Sequence, residues 1–514
     1  MTVVQTRSGA VRAVASEGVR AWRGIPYARA PIGRWRWAAP VPEQPWSGIR
    51  DGGEWGDRAP QQAPAQAMPA GPAPTDDDRP TSEDCLYVNV SAPEHASAGD
   101  RLPVRVWIHG GGFHLGSGAG FIGDGAHVVR SGTVLVTFNY RLGALGFLNL
   151  GDLLGPEFAD AANCALLDQI AALRWVRENI AAFGGDPGNV TVQGVSAGGK
   201  SVINLMASPA AEGLFRRGIS HSGGDHTGSA EDTAALARRF VDLLDLPGGD
   251  PGRIREVPVE EITAAQYALG EGLRATWIWR PTVGGAVLPH CPTRALAAGR
   301  AAGIPLIAGV TDNECGTYVT NDPSALDHAD AVLRDTFPGR HREAAEAYAT
   351  QYPDRDPAGR MRAFMSDERY GAPTLRLLDA QSRHAPVWHF RFRAPMPGAP
   401  ERDWYTHGSD MPYAFGLVPF ADPEAAAVAE GMREAFGAFG QGTPPGSEHF
   451  PDWPAYEPTR RAALLMGTPS RVVREAGNPV HERLWADHDW TPGTWWPLRD
   501  PVGGAAVDAP VSGR

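Results

Sequence analysis

The chain is 514 residues long, 42% hydrophobic and 21% charged, the composition of an ordinary globular protein with apolar side chains enough for a large core. Its net charge of −12 leaves no basic stripe to neutralise a run of phosphates, so nucleic acid is excluded as an expected partner. No apolar run approaches the roughly 20 residues that span a bilayer, and MTVVQTRSGAVRAV lacks the features of a secretory signal, so a cytoplasmic location away from membranes is expected.

This length suits either two domains or one elaborated domain. Taken in order, residues 60–80 (PQQAPAQAMPAGPAPTDDDRP) are too rich in Pro and Ala, with three consecutive Asp, to form a regular element, and read as a surface loop. Cys85, Cys164, Cys291 and Cys315 are scattered without a CxxC pair. Four reduced, mostly buried thiols are expected, with no zinc site, metal or cofactor.

From Leu102 the pattern sharpens. Val104, Val106 and Ile108 alternate with Arg105 and Trp107 and end in Gly110, Gly111 and Gly112, a strand running into a glycine turn. TVLVTFNY at 133–140 suits a strand covered on both faces. Leu166, Ile170, Leu173, Val176 and Ile180 recur at three- and four-residue spacings, predicting a helix of about five turns. GGDPGN breaks it, and Val190–Gln193 restores a strand. Such short joints imply parallel pairing. Beyond residue 225 come helical stretches such as TAALARRFVDLLDL, with strands at PLIAGV (305–310) and PVWHFRF (386–392). Residues 501–514 carry little apolar content and read as a frayed tail after a single elaborated domain over 1–500.

The chemistry centres on Gly194, Val195, Ser196, Ala197 and Gly198, a GxSxG delivered by a strand, with a helix expected to start near Lys200. A serine on a sharp strand-to-helix turn leaves no room for side chains two positions either side, and the helix N-terminus favours a developing anion. The earlier HGGGF, His109–Phe113, supplies backbone donors: the N–H groups of Gly111 and Gly112 would converge with that of Ala197 on an oxyanion. A serine at its free pKa needs a base and a carboxylate, following it in the order acid, then histidine. His221 and His226 lie too close to Ser196 to admit the acid between them. Spacing does not otherwise choose among the histidines, which include His290 and His407. Asp312 and Glu314 both follow the strand PLIAGV and stay open as the acid.

The segments RGIPYARAPIGRWRW, SEDCLYVNV, VWIHGGGFHLGSG, NYRLGALGFL, the helix-to-GVSAGG run, LFRRGISHSGG, RPTVGGAVLP, HGSDMPYAFG and DWPAY cover nearly the whole chain in order. Together they resemble the type-B carboxylesterase and lipase family, which includes cholinesterases and bacterial para-nitrobenzyl esterases. The resemblance implies an α/β-hydrolase fold: a mostly parallel central sheet flanked by helices, with large helical insertions. It implies a serine carboxylic-ester hydrolase acting on an ester and water through an acyl-enzyme, as a monomer or small homo-oligomer. By similarity Glu314 is the acid, His407 the base and Ser222 a supporting hydroxyl. Trp277 would wall the acyl pocket. Glu83 with Arg141, and Arg36 with Asp168, would form ion pairs.

Two departures matter. Ala59 stands where secreted relatives place the cysteine that pairs with the one in SEDCL, so Cys85 should be an unpaired thiol. Val195 precedes the nucleophile where glutamate is common, which argues against cholinesterase activity. Amidase or carbamate hydrolysis would use the same machinery. A non-catalytic binding module is disfavoured by the retained Ser196, Glu314, His407 and glycine loop.

Overall fold

The computed structural model describes residues 2–61, 79–120, 122–271, 278–316, 333, 334, 336–396, 405–417 and 419–474, with 480, 484–486 and 488. Most of the expected loop at 60–80, Trp277 and the tail at 501–514 lie outside them. The strands are β1 (Val3–Gln5), β2 (Ala10–Arg12), β3 (Val14–Ser16), β4 (Val19–Pro26), β5 (Ile49–Asp51), β6 (Tyr87–Pro93) and β7 (Leu102–Ile108). They continue as β8 (Val134–Phe138), β9 (Gly185–Val195), β10 (Arg217–His221), β11 (Leu306–Thr311), β12 (Val387–Arg393), β13 (Ala462–Gly467) and β14 (Arg471–Arg474).

Strands β1, β2 and β5 make a small sheet, and the other eleven form one sheet in the order β14-β13-β12-β11-β10-β9-β7-β8-β6-β4-β3. Its centre, from β8 to β13, is parallel, and antiparallel strands close both sides. With helices around this sheet, the architecture is the α/β-hydrolase fold.

Alternation along the strands explains the two covered faces. Val104, Val106 and Ile108 of β7 enter one core with Val134, Val136 and Phe138 of β8, whereas Trp107 and Leu135 enter the core on the other face. Full burial of each such side chain contributes about 1.5–3 kcal/mol. Arg105, expected beside Trp107, is also buried; its Nη2 donates to the Phe436 carbonyl at 3.0 Å, and burial pushes its pKa down to about 10.

The helix expected around Leu166–Ile180 is α1 (Cys164–Asn179), and Ile180 begins the 3-10 turn that follows it. Strand β9 starts at Gly185, not Val190: Gly185 pairs with Leu102 before a shift in register brings Val190 opposite Val104. The GGDPGN segment is therefore an irregularity within the strand's span. The nucleophile's helix α2 (Ala197–Ala207) begins three residues before Lys200. Helical insertions between β11 and β12 include His341–Gln351, Pro357–Ser366 and α3 (Ala372–Gln381). They build a third core that also contains Cys315.

The expected ion pairs exchange partners. Arg36 Nε donates to Glu83 at 2.6 Å, and Arg141 grips Asp168 through Nε at 2.8 Å and Nη2 at 2.7 Å. Two parallel N–H bonds match the guanidinium fork to one carboxylate, which a sequence resemblance does not allocate. All four cysteines are free, with Cys85 fully buried, as expected. Among the described residues no helix is long and apolar enough to cross a membrane.

Asp168 has no exposed side-chain surface, and Arg141 has 3%. Asp168→Asn leaves the guanidinium without its counter-charge and should cost about 3–5 kcal/mol. Urea denaturation of the two proteins checks this.

Candidate active site

Register sets the geometry of the site. Ile108 is level with Gly194, Val195 with His221, and His221 with Gly309, so β7, β9 and β10 end nearly level and β11 runs two residues further. The segments leaving these ends are the glycine loop, Ser196, Ser222 and Glu314. The chain runs from β7 to β8 on one side, then returns across β7 to β9. Ligands of open α/β sheets bind at such a switch point, beyond the carboxyl ends of the strands.

Ser196 sits at φ 57° and ψ −121°, a conformation that a non-glycine residue rarely adopts, and it heads α2. Its N–H donates to the His221 carbonyl at 2.9 Å, and its own carbonyl accepts the Lys200 N–H at 2.8 Å. The neighbouring glycines are sterically required. A Cβ on Gly198 would lie 2.0 Å from the Ile108 oxygen, and one on Gly194 would lie 2.5 Å from Gly198. A Cβ on Gly110 would meet the Val195 oxygen at 2.8 Å, so the glycine loop packs directly on the turn.

Gly111 and Gly112 have φ of 107° and 60°, and Ala197 is the first residue of α2, whose N–H has no acceptor within the helix. The loop is braced from outside. Tyr140 donates to the His109 carbonyl at 2.9 Å and stacks on that imidazole at 4.3 Å, while Gln61 bonds both the N–H and the carbonyl of Gly116.

The structure brings Glu314 and His407 together. His407 Nδ1 lies 2.6 Å from Glu314 Oε2, and the His407 N–H donates to the Glu314 carbonyl at 3.3 Å. The other carboxylate oxygen accepts Ser222 Oγ at 2.6 Å and the Thr311 N–H at 2.7 Å. A carboxylate with 1% of its side chain exposed is thereby satisfied by donors from three segments. An Nδ1–H donated to Glu314 leaves Nε2 as the basic nitrogen.

The rival acid, Asp312, faces elsewhere: it accepts Arg391 Nε at 2.7 Å. His221 is engaged too, its Nδ1 lying 2.7 Å from Asp410 in full burial.

Two neighbours escaped the sequence reading. The Tyr370 ring stacks on His407 with centroids 4.6 Å apart and planes 29° from parallel. It comes from a π-helical turn, Asp367–Gly371, in no motif and well upstream of His407. Pro373 explains that turn: it cannot donate a helical hydrogen bond, and the Ala372 N–H reaches back five residues to Asp367. Lys200 is the second, a lysine 1% exposed whose Nζ donates to the Gly223 carbonyl. Its spacing of four from Ser196 on a helix was the available signal, obscured by placing the helix start at Lys200 itself.

The chain is similar to known proteins over most of its length. The model of the carboxylesterase family matches residues 1–485. The para-nitrobenzyl esterase of Bacillus subtilis is 35% identical over 497 residues, covering 94% of this chain and 98% of that protein. The fumonisin B1 esterase of Sphingopyxis macrogoltabida is 34% identical over 425 residues, covering 80% of this chain and 74% of that protein. Among solved structures, a carboxylesterase of Geobacillus stearothermophilus superposes with a TM-score of 0.84 at 35% identity, covering 94% of this chain and all of that one.

Gly198→Ala should collapse esterase turnover by at least about a hundredfold, because the added methyl displaces the turn from the end of β7. Gly437→Ala, placed in open space on a helix, should leave turnover intact and raise stability by up to about 1 kcal/mol. Steady-state kinetics and thermal melts of the pair separate steric exclusion from general glycine loss.

Proposed function

The chain belongs to the carboxylesterase family and is a serine ester hydrolase, and from that premise we propose that Ser196, His407 and Glu314 are its nucleophile, general base and orienting carboxylate. Gly111, Gly112 and Ala197 supply the oxyanion hole. The observation that carries this reading is the 2.6 Å bond between His407 and Glu314, on the same sheet edge as the strained Ser196.

In the reaction, His407 Nε2 accepts the Ser196 proton as Oγ attacks the ester carbonyl. Backbone N–H groups receive the negative charge that forms on the carbonyl oxygen. His407 then protonates the leaving alcohol, activates water against the acyl-enzyme, and returns the proton to Ser196 as the acid departs. Glu314 holds the tautomer and stabilises the imidazolium. Ser222 supports it by donating to the carboxylate oxygen that His407 does not use.

Trp277 is assigned to the acyl-pocket wall, which favours short acyl groups. Residues 1–500 are taken as one catalytic domain, a reading supported by the single large sheet that runs from Val14 to Arg474. A cytoplasmic location is supported by four unpaired cysteines, and a monomer or small homo-oligomer is the assigned state.

Ser196→Ala should lower kcat on p-nitrophenyl acetate by roughly six decades, and Glu314→Gln by roughly four. Undiminished turnover in the serine variant contradicts the assignment. Trp277→Ala should move the optimum of an acyl-chain-length series toward longer esters, and an unchanged optimum removes Trp277 from the pocket.

A further inference from the structure

Lys200 stands at a junction that the catalytic cycle does not use. Its main chain is bonded to Ser196, one helical turn away. Its Nζ donates to the carbonyl of Gly223, the residue after the Ser222 that supports Glu314. The same Nζ lies 4.9 Å from the centroid of the Tyr370 ring, which is stacked on His407. One buried ammonium therefore touches both the ring that lies on His407 and the residue next to the Ser222 that supports Glu314.

We propose that Lys200 is a positioning residue for His407: through Tyr370 and the Ser222–Gly223 turn it sets the placement of the imidazole, and its positive charge disfavours the imidazolium at rest. This inference rests on the assignment of Ser196, His407 and Glu314.

Burial alone makes a lysine here costly, and its place in the first turn of α2 sets it against the positive end of the helix. The groups facing it come from four other segments. Glu314 follows β11, Asp225 and His226 follow β10, Arg280 precedes Pro281, and Glu368 with Arg369 and Tyr370 belongs to the π-helical turn. Desolvation dominates and pushes the Lys200 pKa down to about 7, with Arg280 and Arg369 adding to the drop and Glu314 and Asp225 opposing it. Below that value the ammonium is charged, so its positive charge is present throughout the acid range. A cation close to an imidazole disfavours its protonated form. Removing the charge must therefore move the acid limb of kcat/KM upward.

The experiment is the pH profile of kcat/KM on p-nitrophenyl acetate for the wild type, Lys200→Met, Lys200→Gln and Lys200→Arg, with Ser196→Ala alongside. The Met variant keeps the length of the side chain, and the Gln variant retains a donor for Gly223 should Met fail to fold. The acid limb should rise by roughly one unit in both neutral variants and return toward the wild-type position in the Arg variant. A lower plateau with an unmoved acid limb in a neutral variant overturns the proposal, because a purely structural lysine would give that result. Retained turnover in Ser196→Ala would instead overturn the underlying assignment of the nucleophile.

Discussion

Everything in this site depends on one steric constraint: the end of β7 and the start of α2 touch with no space for a Cβ between them. The Ile108 carbonyl lies where a Gly198 side chain would begin, and the Gly198 backbone lies where a Gly194 side chain would begin. That contact fixes the angle at which the chain leaves β9, and with it the φ of 57° at Ser196. A strained residue of this kind costs on the order of 1–3 kcal/mol and persists only where its surroundings over-determine it. Here the surroundings are hydrogen bonds to the His221 carbonyl and from the Lys200 N–H, and a sheet whose parallel strands end level.

The constraint also orders the polar groups. Because β7, β9, β10 and β11 finish within a few residues of one level, donors and acceptors leaving them meet at one end of the sheet. Glu314 reaches its partners from the loop after β11, Ser222 from the end of β10, and His407 from a turn tied to Glu314 by a main-chain bond. The helical insertion contributes from above, since Cys315 beside Glu314 packs in the insertion's core and Tyr370 covers His407. Burial behind the turn has an electrostatic consequence. Desolvation pushes Glu368 up to about 8 and Lys200 down to about 7, so burial disfavours the charged form of both groups. The site is thus held by apolar packing at the sheet and tuned by buried charge at the helices.

Much of this was legible in the chain. Alternation at Val104–Ile108 and the three- and four-residue spacing of Leu166–Val176 dictate strand and helix locally. The glycines around Ser196 announce themselves because a steric requirement leaves its mark on residue type. Glu314 and Asp312 were inseparable by composition. What separates them is which way each side chain leaves the loop, toward His407 or toward Arg391. The exchange of partners among Arg36, Glu83, Arg141 and Asp168 has the same origin, since charge says that pairs form and only packing says which. Tyr370 was invisible because its position depends on a widened turn imposed by Pro373, remote from His407 in sequence.

During turnover an acyl group should be carried on the hydroxyl of Ser196. Mixing the enzyme with p-nitrophenyl acetate, quenching in acid before the steady state, and mapping the acetyl group by peptide mass spectrometry tests it directly. One acetyl group should appear, on the peptide that contains Ser196 and at that residue. An acetyl group on another side chain, or rapid turnover with none captured on Ser196, would contradict that expectation.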